Sequence, residues 1–441
     1  MANVRPFRGI RYNTDKLNIA KLVTPPYDVI SDQEQDAYHA CHPNNIIRLI
    51  LGKQFDSDNL SSNRYTRAAE CYESWQSQNF LKRDDAPSFY FTAMDFSVED
   101  KRYTRYGLIA LVKLERFDTG VVKPHEKTFT NVKSERLKLM SACHANFSPI
   151  FSLYPDSDHT ILNSLLKAVK DIRPEIEFED TQNQSHRLWR ILDPSVQAFI
   201  ENAMAKKSIF IADGHHRYET ALEYLNLLEQ QQGHLEPSHP AQYIMMYLTS
   251  MEDPGLVILP AHRQLTSVPD AILKSFLDKV SQFFDVQILP FDQRTKDSVM
   301  AQFIQLLEAG KSCHTLGAYY KNQSAFVLLS LKPNILDSET KIEAALKDLD
   351  VTLLTQIIFE RVLMFDQSTL DNEKQITYTT HIDEAIGNVD QGKCDMVMLL
   401  NPTRIDQVQD VANSGLTMPR KSTYFYPKVI TGLVVNDLSD K

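Results

Sequence analysis

The sequence predicts an α+β protein, and three patterns carry that expectation. An apolar strand runs through a tight turn straight into a helix at residues 208–222. Two long apolar and aromatic runs flank a charged turn at residues 88–114. From about Thr266 onward, helical and extended patterns alternate. At 441 residues and 43% hydrophobic, the chain can bury an ample core and is long enough for two or three domains.

Taken in order, residues 1–87 form an N-terminal α+β region. Short extended pieces around Tyr12 and Val23-Thr-Pro-Pro-Tyr-Asp28 precede helices, the clearest over Tyr65 to Gln78, and Lys82 to Pro87 reads as a linker or loop. Residues 88–265 form the central region. Ser88 to Phe96 and Thr104 to Leu114 read as a hairpin about Glu99-Asp-Lys-Arg102, followed by a basic helix start at Ser134 to Met140. Ile209-Phe-Ile211 is a short buried strand and Asp213-Gly214 a turn; Tyr218, Ala221, Leu222 and Leu225 then recur at helical spacing. Glu229 to His239 reads as an exposed loop, before the apolar run Tyr243 to Leu248. Residues 266–441 form a C-terminal α+β region, with a helix over Ala271 to Phe284 and strands at Ala325 to Ser330 and Met396 to Leu400.

Composition excludes several function classes. With 47 basic against 57 acidic residues the net charge is −10, which argues against broad electrostatic binding to nucleic acid or to an anionic membrane. The start Met-Ala-Asn-Val-Arg-Pro-Phe-Arg lacks an apolar signal core, and no run of about eighteen apolar residues occurs, so a soluble cytoplasmic protein is expected. Homo-oligomerisation is left open. The five cysteines are scattered without a C-x-x-C pair, which points to neither a disulfide framework nor a zinc ribbon.

The stretch Ser208-Ile-Phe-Ile-Ala-Asp-Gly-His-His-Arg-Tyr-Glu-Thr-Ala-Leu222 carries the chemistry. His215, His216 and Arg217 fall in the first helical turn, where free backbone N–H groups and the positive end of the helix dipole favour anions. A structural sequence would place Asp, Glu, Ser or Thr there. The reversed charge order implies that a ligand supplies the negative charge, and Arg217 adds a fork of donors suited to phosphate oxygens. The plainer alternative is an Asp213 N-cap with a solvated His-His-Arg face.

D-G-H-H-R followed by an aromatic and small apolar residues resembles the signature of the ParB/sulfiredoxin-like superfamily. The longer A-D-G-H-H-R-Y-E-T-A-L resembles the hallmark of the bacterial and archaeal family known as domain of unknown function 1015. Ordered motifs extend that resemblance over nearly the whole chain: R-P-F-R-G-I-R-Y from Arg5, T-P-P-Y-D-V-I from Thr24, P-H-E-K-T from Pro124, A-N-F-S-P-I-F from Ala145, M-P-R-K-S-T-Y-F-Y-P-K from Met418 and T-G-L-V from Thr431. The superfamily includes nucleotide-dependent DNA-partitioning switches, sulfinic-acid reductases and free-serine kinases. The resemblance therefore implies a ParB/sulfiredoxin-like mixed core at 88–265.

In the serine-kinase branch a Glu upstream of D-G-H-H-R takes the substrate hydroxyl proton, and the resemblance gives that role to Glu126 of Lys123-Pro-His-Glu-Lys-Thr128. Phosphoryl transfer needs an oriented nucleophile, a carboxylate base and cations around the equatorial oxygens. Glu126, Asp213 and His216 are the catalytic candidates, and Gly214, His215, His216 and Arg217 the phosphate cradle. The roughly ninety residues between Glu126 and Asp213 exceed what compact kinase domains use, so the segments around Ala145 to Tyr154 and Ser185 to Arg190 read as inserted structure.

Weaker candidates complete the set. Lys421, Ser422 and Thr423 offer a cation and hydroxyls without the glycine-rich loop of a Walker motif, and read as an extended segment that reaches the pocket or packs as a plain strand. Tyr27, Asp28 and His125 are candidate pocket-wall residues, while Pro260-Ala-His-Arg263 reads as structural. A transition-metal site from His125, Glu126, His215 and His216 has suitable ligand types but is disfavoured, because the adjacent helical residues His215 and His216 point about 100° apart. The resulting expectation is a kinase using ATP or ADP with Mg²⁺, Asp213 holding the metal or orienting His216, and a small hydroxylated metabolite such as a free amino acid as acceptor. The alternatives are a nucleotide-binding switch without turnover and a phosphohydrolase using the same parts.

Overall fold

The computed structural model describes residues 1–126, 130–333, 335–338, 342–370, 372 and 374–439. The fold is α+β, in two compact units. One comprises Met1–Pro124, Thr128–Val257 and Pro427–Lys441, the other His125–Lys127 and Ile258–Tyr426.

The first unit is built on a nine-stranded mixed sheet. Its strands are β1 (Val4–Arg5), β2 (Phe89–Val98), β3 (Lys101–Lys113), β4 (Val122–Lys123), β5 (Ile150–Tyr154), β6 (Ile176–Glu179), β7 (Ser185–Ile191), β8 (Ile209–Asp213) and β9 (Tyr243–Ser250). Their order is β4-β8-β5-β9-β3-β2-β7-β6, with β1 beside β3. The expected hairpin is β2–β3, paired from Tyr90 opposite Ile109 to Val98 opposite Lys101.

One expectation is corrected here. The segments read as inserted structure belong to this sheet: β5 lies between β8 and β9, and β7 between β2 and β6. Ile150-Phe-Ser-Leu-Tyr154 is buried throughout, as a strand covered on both faces should be, and its short apolar run has no periodicity that would announce a central strand.

The helices of this unit include α1 (Arg64–Ser77), α2 (Thr130–Cys143), α3 (Thr160–Val169), α4 (Pro194–Met204) and α5 (His215–Gln232), with α1 packed on α2 and α2 on α5. α1 begins where Asn63 accepts from the N–H groups of Tyr65 and Thr66, a side-chain cap typically worth about 1 kcal/mol. α2 starts at Thr130, a turn earlier than the basic cluster predicts. α5 buries Tyr218, Ala221, Tyr224 and Leu228 against the core, with Leu222 and Leu225 partly covered. Fully burying one such large apolar side chain stabilises by about 1.5–3 kcal/mol. The helix continues through residues 229–232, expected as loop, because Glu and Gln are good helix formers; Gly233 ends it at φ 86°.

The second unit contains a six-stranded sheet. Its strands are β10 (His262–Leu265), β11 (Phe284–Pro290), β12 (Thr315–Tyr320), β13 (Ala325–Leu331), β14 (Ile376–Thr379) and β15 (Met396–Leu399), in the order β11-β13-β12-β15-β10-β14. The helix predicted over 271–284 is α6 (Asp270–Val280) and stops short, because Phe284 opens β11 and pairs with Leu331. Phe276, Val280 and Phe284 stand at i, i+4 and i+8, so the helical period runs on past the true end. Among the described residues no helix is long and apolar enough to cross a membrane.

Candidate phosphate site at the start of helix α5

β8 delivers the site. It pairs parallel with β4 and antiparallel with β5, and its register with β5 slips between Ile211 and Asp213. Such a bulge re-aims the residues that follow, here at the strand end where the side chain of Asp213 emerges. Gly214 then caps α5 at φ 99° and ψ 28°, a left-handed geometry that side chains resist. The space a Cβ would need is also taken, since it would lie 2.9 Å from the guanidinium of Arg217. Gly214, the N-cap residue, has no side chain with which to cap the helix.

Asp213 is therefore the last residue of the strand and not the N-cap. Its Oδ2 accepts from Arg217 Nη2 at 2.7 Å and its Oδ1 from Lys428 Nζ at 2.7 Å. All three side chains are at most 16% exposed. Burial alone would raise the Asp213 carboxyl, but Lys428 and Arg217, with His215 behind them, hold it well below the usual carboxylate range. Arg217 and Lys428 thus share this one carboxylate beside the start of α5. Arg217 Nη1 also donates to the carbonyl of Pro149, so this guanidinium braces β5 and α5 as well as facing the turn.

Of the remaining cradle residues, His215 is buried and His216 half-buried, as their angular separation on a helix demands; the carbonyl of His216 accepts from Thr220 Oγ1 at 2.7 Å. Tyr27 lines the same cavity as Arg217. Burial raises its phenol pKa, as does Asp28, while Arg136 and Arg217 oppose the rise. Asp28 itself is exposed.

In the second unit the structure brings together His125, Glu126 and the segment 418–423. The N–H of Met418 donates to the carbonyl of His125 at 2.8 Å, and Glu126 bridges Met418 in parallel. Glu126 Oε1 accepts from the N–H of Lys421 at 3.4 Å, and His125 Nε2 lies 3.1 Å from Thr423 Oγ1. Lys421 has φ 53°, so this segment turns where an extended run was expected; the strand begins only at Tyr424. Ser422 Oγ donates to the carbonyl of Pro419, closing the turn. Arg263, buried on β10, donates through Nη2 to the carbonyls of Arg420 and Lys421, at 3.3 and 2.9 Å, which gives Pro260-Ala-His-Arg263 the structural part foreseen for it. Lys127 and Thr128 of P-H-E-K-T lie outside the described residues.

Sequence reasoning missed two contributors to the first unit. Lys428 ends the motif M-P-R-K-S-T-Y-F-Y-P-K, and no local pattern ties it to Asp213. Arg105, fully buried on β3, donates to the carbonyl of Pro427 at 2.7 Å and so fixes the segment that presents Lys428. Arg105 stands in the polar first half of β3, beside Lys101, Arg102 and Thr104, so nothing local marks it as buried.

A resident Mg²⁺ does not fit Asp213 as it stands, because both carboxylate oxygens are engaged by cations. Among the described residues no three His, Cys, Asp or Glu side chains converge as metal ligands.

Gly214→Ala is expected to cost roughly 1–3 kcal/mol, the usual scale for a residue forced into a disfavoured backbone region, and to dislodge Arg217. Denaturant unfolding checks this, and a loss below about 0.5 kcal/mol, the scale of an ordinary surface substitution, would mean the turn relaxes freely.

A mixed nine-stranded sheet whose strand end and following helix start place Arg217 and Lys428 on Asp213 defines an α+β protein. The chain belongs to the family described as "Protein of unknown function (DUF1015)", whose sequence model matches residues 4–352. Comparison with curated proteins gives no match. Among solved structures, a conserved hypothetical protein from Pyrococcus furiosus is similar at 13% identity, over 73% of this chain and 92% of that one, with a TM-score of 0.33. A free serine kinase in complex with AMP is similar at 11% identity, over 72% and 86%, with a TM-score of 0.32. SbnI with a C-terminal truncation, from Staphylococcus aureus, is similar at 9% identity, over 76% and 90%, with a TM-score of 0.35. At these values the three likenesses carry no functional argument.

Proposed function

We propose that this protein is a nucleotide-dependent kinase that transfers a phosphoryl group to a small hydroxylated metabolite. The observation that carries the reading is the glycine-capped start of α5 at Gly214, beside one carboxylate shared by Arg217 and Lys428. A glycine-capped helix start flanked by an Arg and a Lys supplies the kinds of donor and charge that a phosphate group needs. In this reading Gly214, His215 and His216 offer backbone and side-chain donors to the phosphates, and Lys428 and Arg217 neutralise their charge. Glu126 keeps the role of base that the sequence resemblance gives it, and a ParB/sulfiredoxin-like ancestry of the first unit belongs to the same proposal. ATP or ADP is the donor, and any magnesium arrives with the nucleotide phosphates.

The test is nucleotide affinity. Lys428→Met should weaken binding of ATP or ADP by about 1.5–3 kcal/mol, the scale of one hydrogen bond to a charged group, equivalent to a loss of roughly tenfold to more than a hundredfold. Arg217→Ala should weaken it similarly but also lower stability, because that guanidinium holds the carbonyl of Pro149. Calorimetric titration with ATP, ADP and CTP measures the first effect. Equal affinity in parent and Lys428→Met removes this cradle from the proposal, and nucleotide binding without product from any hydroxy metabolite favours a regulatory switch.

A further inference from the structure

In the first unit a small open cavity of about 50 Å³ lies where α2, residues 145–148 and the first turns of α5 meet. Its wall is mostly apolar, with Ile50, Met140 and Phe147 among the contributors, yet it carries two guanidinium groups, those of Arg136 and Arg217. Arg217 is balanced by Asp213. Arg136 is not balanced. It is 9% exposed, its guanidinium carbon sits 3.9 Å from the centre of the Tyr27 ring, and Nη1 donates to the carbonyl of Ile50 at 2.8 Å. Its Nε is buried without a hydrogen-bond partner. Among the described residues no carboxylate pairs with it, and the neighbouring Glu135 pairs with Arg64 instead, at 2.6 Å. Burial accordingly pulls the Arg136 pKa down.

A buried charge is normally paired, because desolvation otherwise goes uncompensated. An aromatic face and one carbonyl offset only part of that cost for Arg136. With Nη1 engaged, the Nε and Nη2 edge remains, and those two parallel donors match the two oxygens of a carboxylate. One uncompensated positive charge calls for one negative charge, and the apolar wall calls for a short carbon body beside it.

We propose that this cavity is a carboxylate-anchoring site for a small organic acid, held by the Nε and Nη2 edge of Arg136 over the ring of Tyr27. The site stands on the cavity alone. That the acid is also the phosphoryl acceptor rests on the kinase reading, and would make the acceptor a hydroxy acid or hydroxy amino acid.

The experiment uses the full chain without nucleotide. Thermal melting is followed with acetate, L-lactate and L-serine, against ethanolamine, which lacks the carboxylate, inorganic phosphate, and sodium chloride at matched ionic strength. At least one carboxylate should raise the midpoint by about 2–4 °C beyond chloride, the shift expected for a ligand near tenfold above its dissociation constant. Arg136→Met should abolish that shift and Arg136→Lys, which keeps the charge and loses the fork, should retain only part of it; the second variant decides the matter if the first does not fold. A parent protein that no carboxylate stabilises beyond chloride overturns the proposal, as does an equal carboxylate shift in Arg136→Lys or a larger phosphate shift that Arg136→Met abolishes. Arg136→Met should bind ATP as the parent does, so failure of the nucleotide site and failure of the carboxylate site read out separately.

Discussion

Asp213→Asn is expected to destabilise the protein by about 3–5 kcal/mol, the cost of removing one partner from a buried ion network and leaving the other charges uncompensated. The carboxylate is contacted at 2.7 Å from each side by Arg217 and Lys428. An amide would present its NH₂ group to one of two largely buried cations. The loss should also depend on pH. Because the folded carboxyl lies well below its ordinary value, its contribution is present above the unfolded pKa, near 3.9, and fades as pH falls below that toward the folded value. Parent and variant should therefore differ fully at pH 7 and converge from about pH 4 downward. Denaturant unfolding across that range measures this. A difference under about 1 kcal/mol at neutral pH, the size of an exposed ion pair, would mean that the network is a solvated surface feature. Adding Lys428→Met to Asp213→Asn should recover part of the loss, since it removes one of the stranded charges, and the double-mutant cycle isolates that coupling.

The elements that were legible in the sequence are those with a local cause. The apolar run Ile209 to Ile211, the turn at Gly214 and the period of Tyr218 and Ala221 all lie within a dozen residues, and the strand, turn and helix form where they indicate. Two apolar and aromatic runs about a charged turn likewise announced β2 and β3. What stayed hidden depends on partners distant in sequence. β5 carries no periodicity of its own and acquires its central place only by pairing with β8 on one side and β9 on the other. The same holds within the site. The Asp213–Arg217 spacing of four is a helical neighbour relation, yet neither reading of H-H-R, as ligand groups or as a solvated face, pairs Arg217 with Asp213. Lys428 joins Asp213 from 215 residues away, and Arg105 reaches Pro427 across 322. Arg136 was visible as part of a basic helix, but its burial against Tyr27 was not.

Glu126→Gln is expected to abolish phosphoryl transfer while leaving fold and nucleotide affinity as in the parent. The substitution suits the local structure, because the role visible for Glu126 is as an acceptor: its Oε1 receives the N–H of Lys421 at 3.4 Å, and the amide oxygen of Gln can accept the same bond. The backbone bridge from Glu126 to Met418 does not involve the side chain at all. What the amide cannot do is take a proton from an attacking hydroxyl, a function that contributes typically about 10²–10⁴-fold to a rate. The measurement pairs nucleotide affinity by calorimetry with detection of phosphorylated product by mass spectrometry from a pool of small hydroxy metabolites. Retained affinity with product formation lowered by at least about 10²-fold assigns the base. Lowered affinity with an unchanged rate would give Glu126 a binding role in place of a catalytic one. Product formed at the parent's rate would place the base elsewhere, and Asp28, exposed beside Tyr27, would be the next carboxylate to replace, since Asp213 is already committed to two cations.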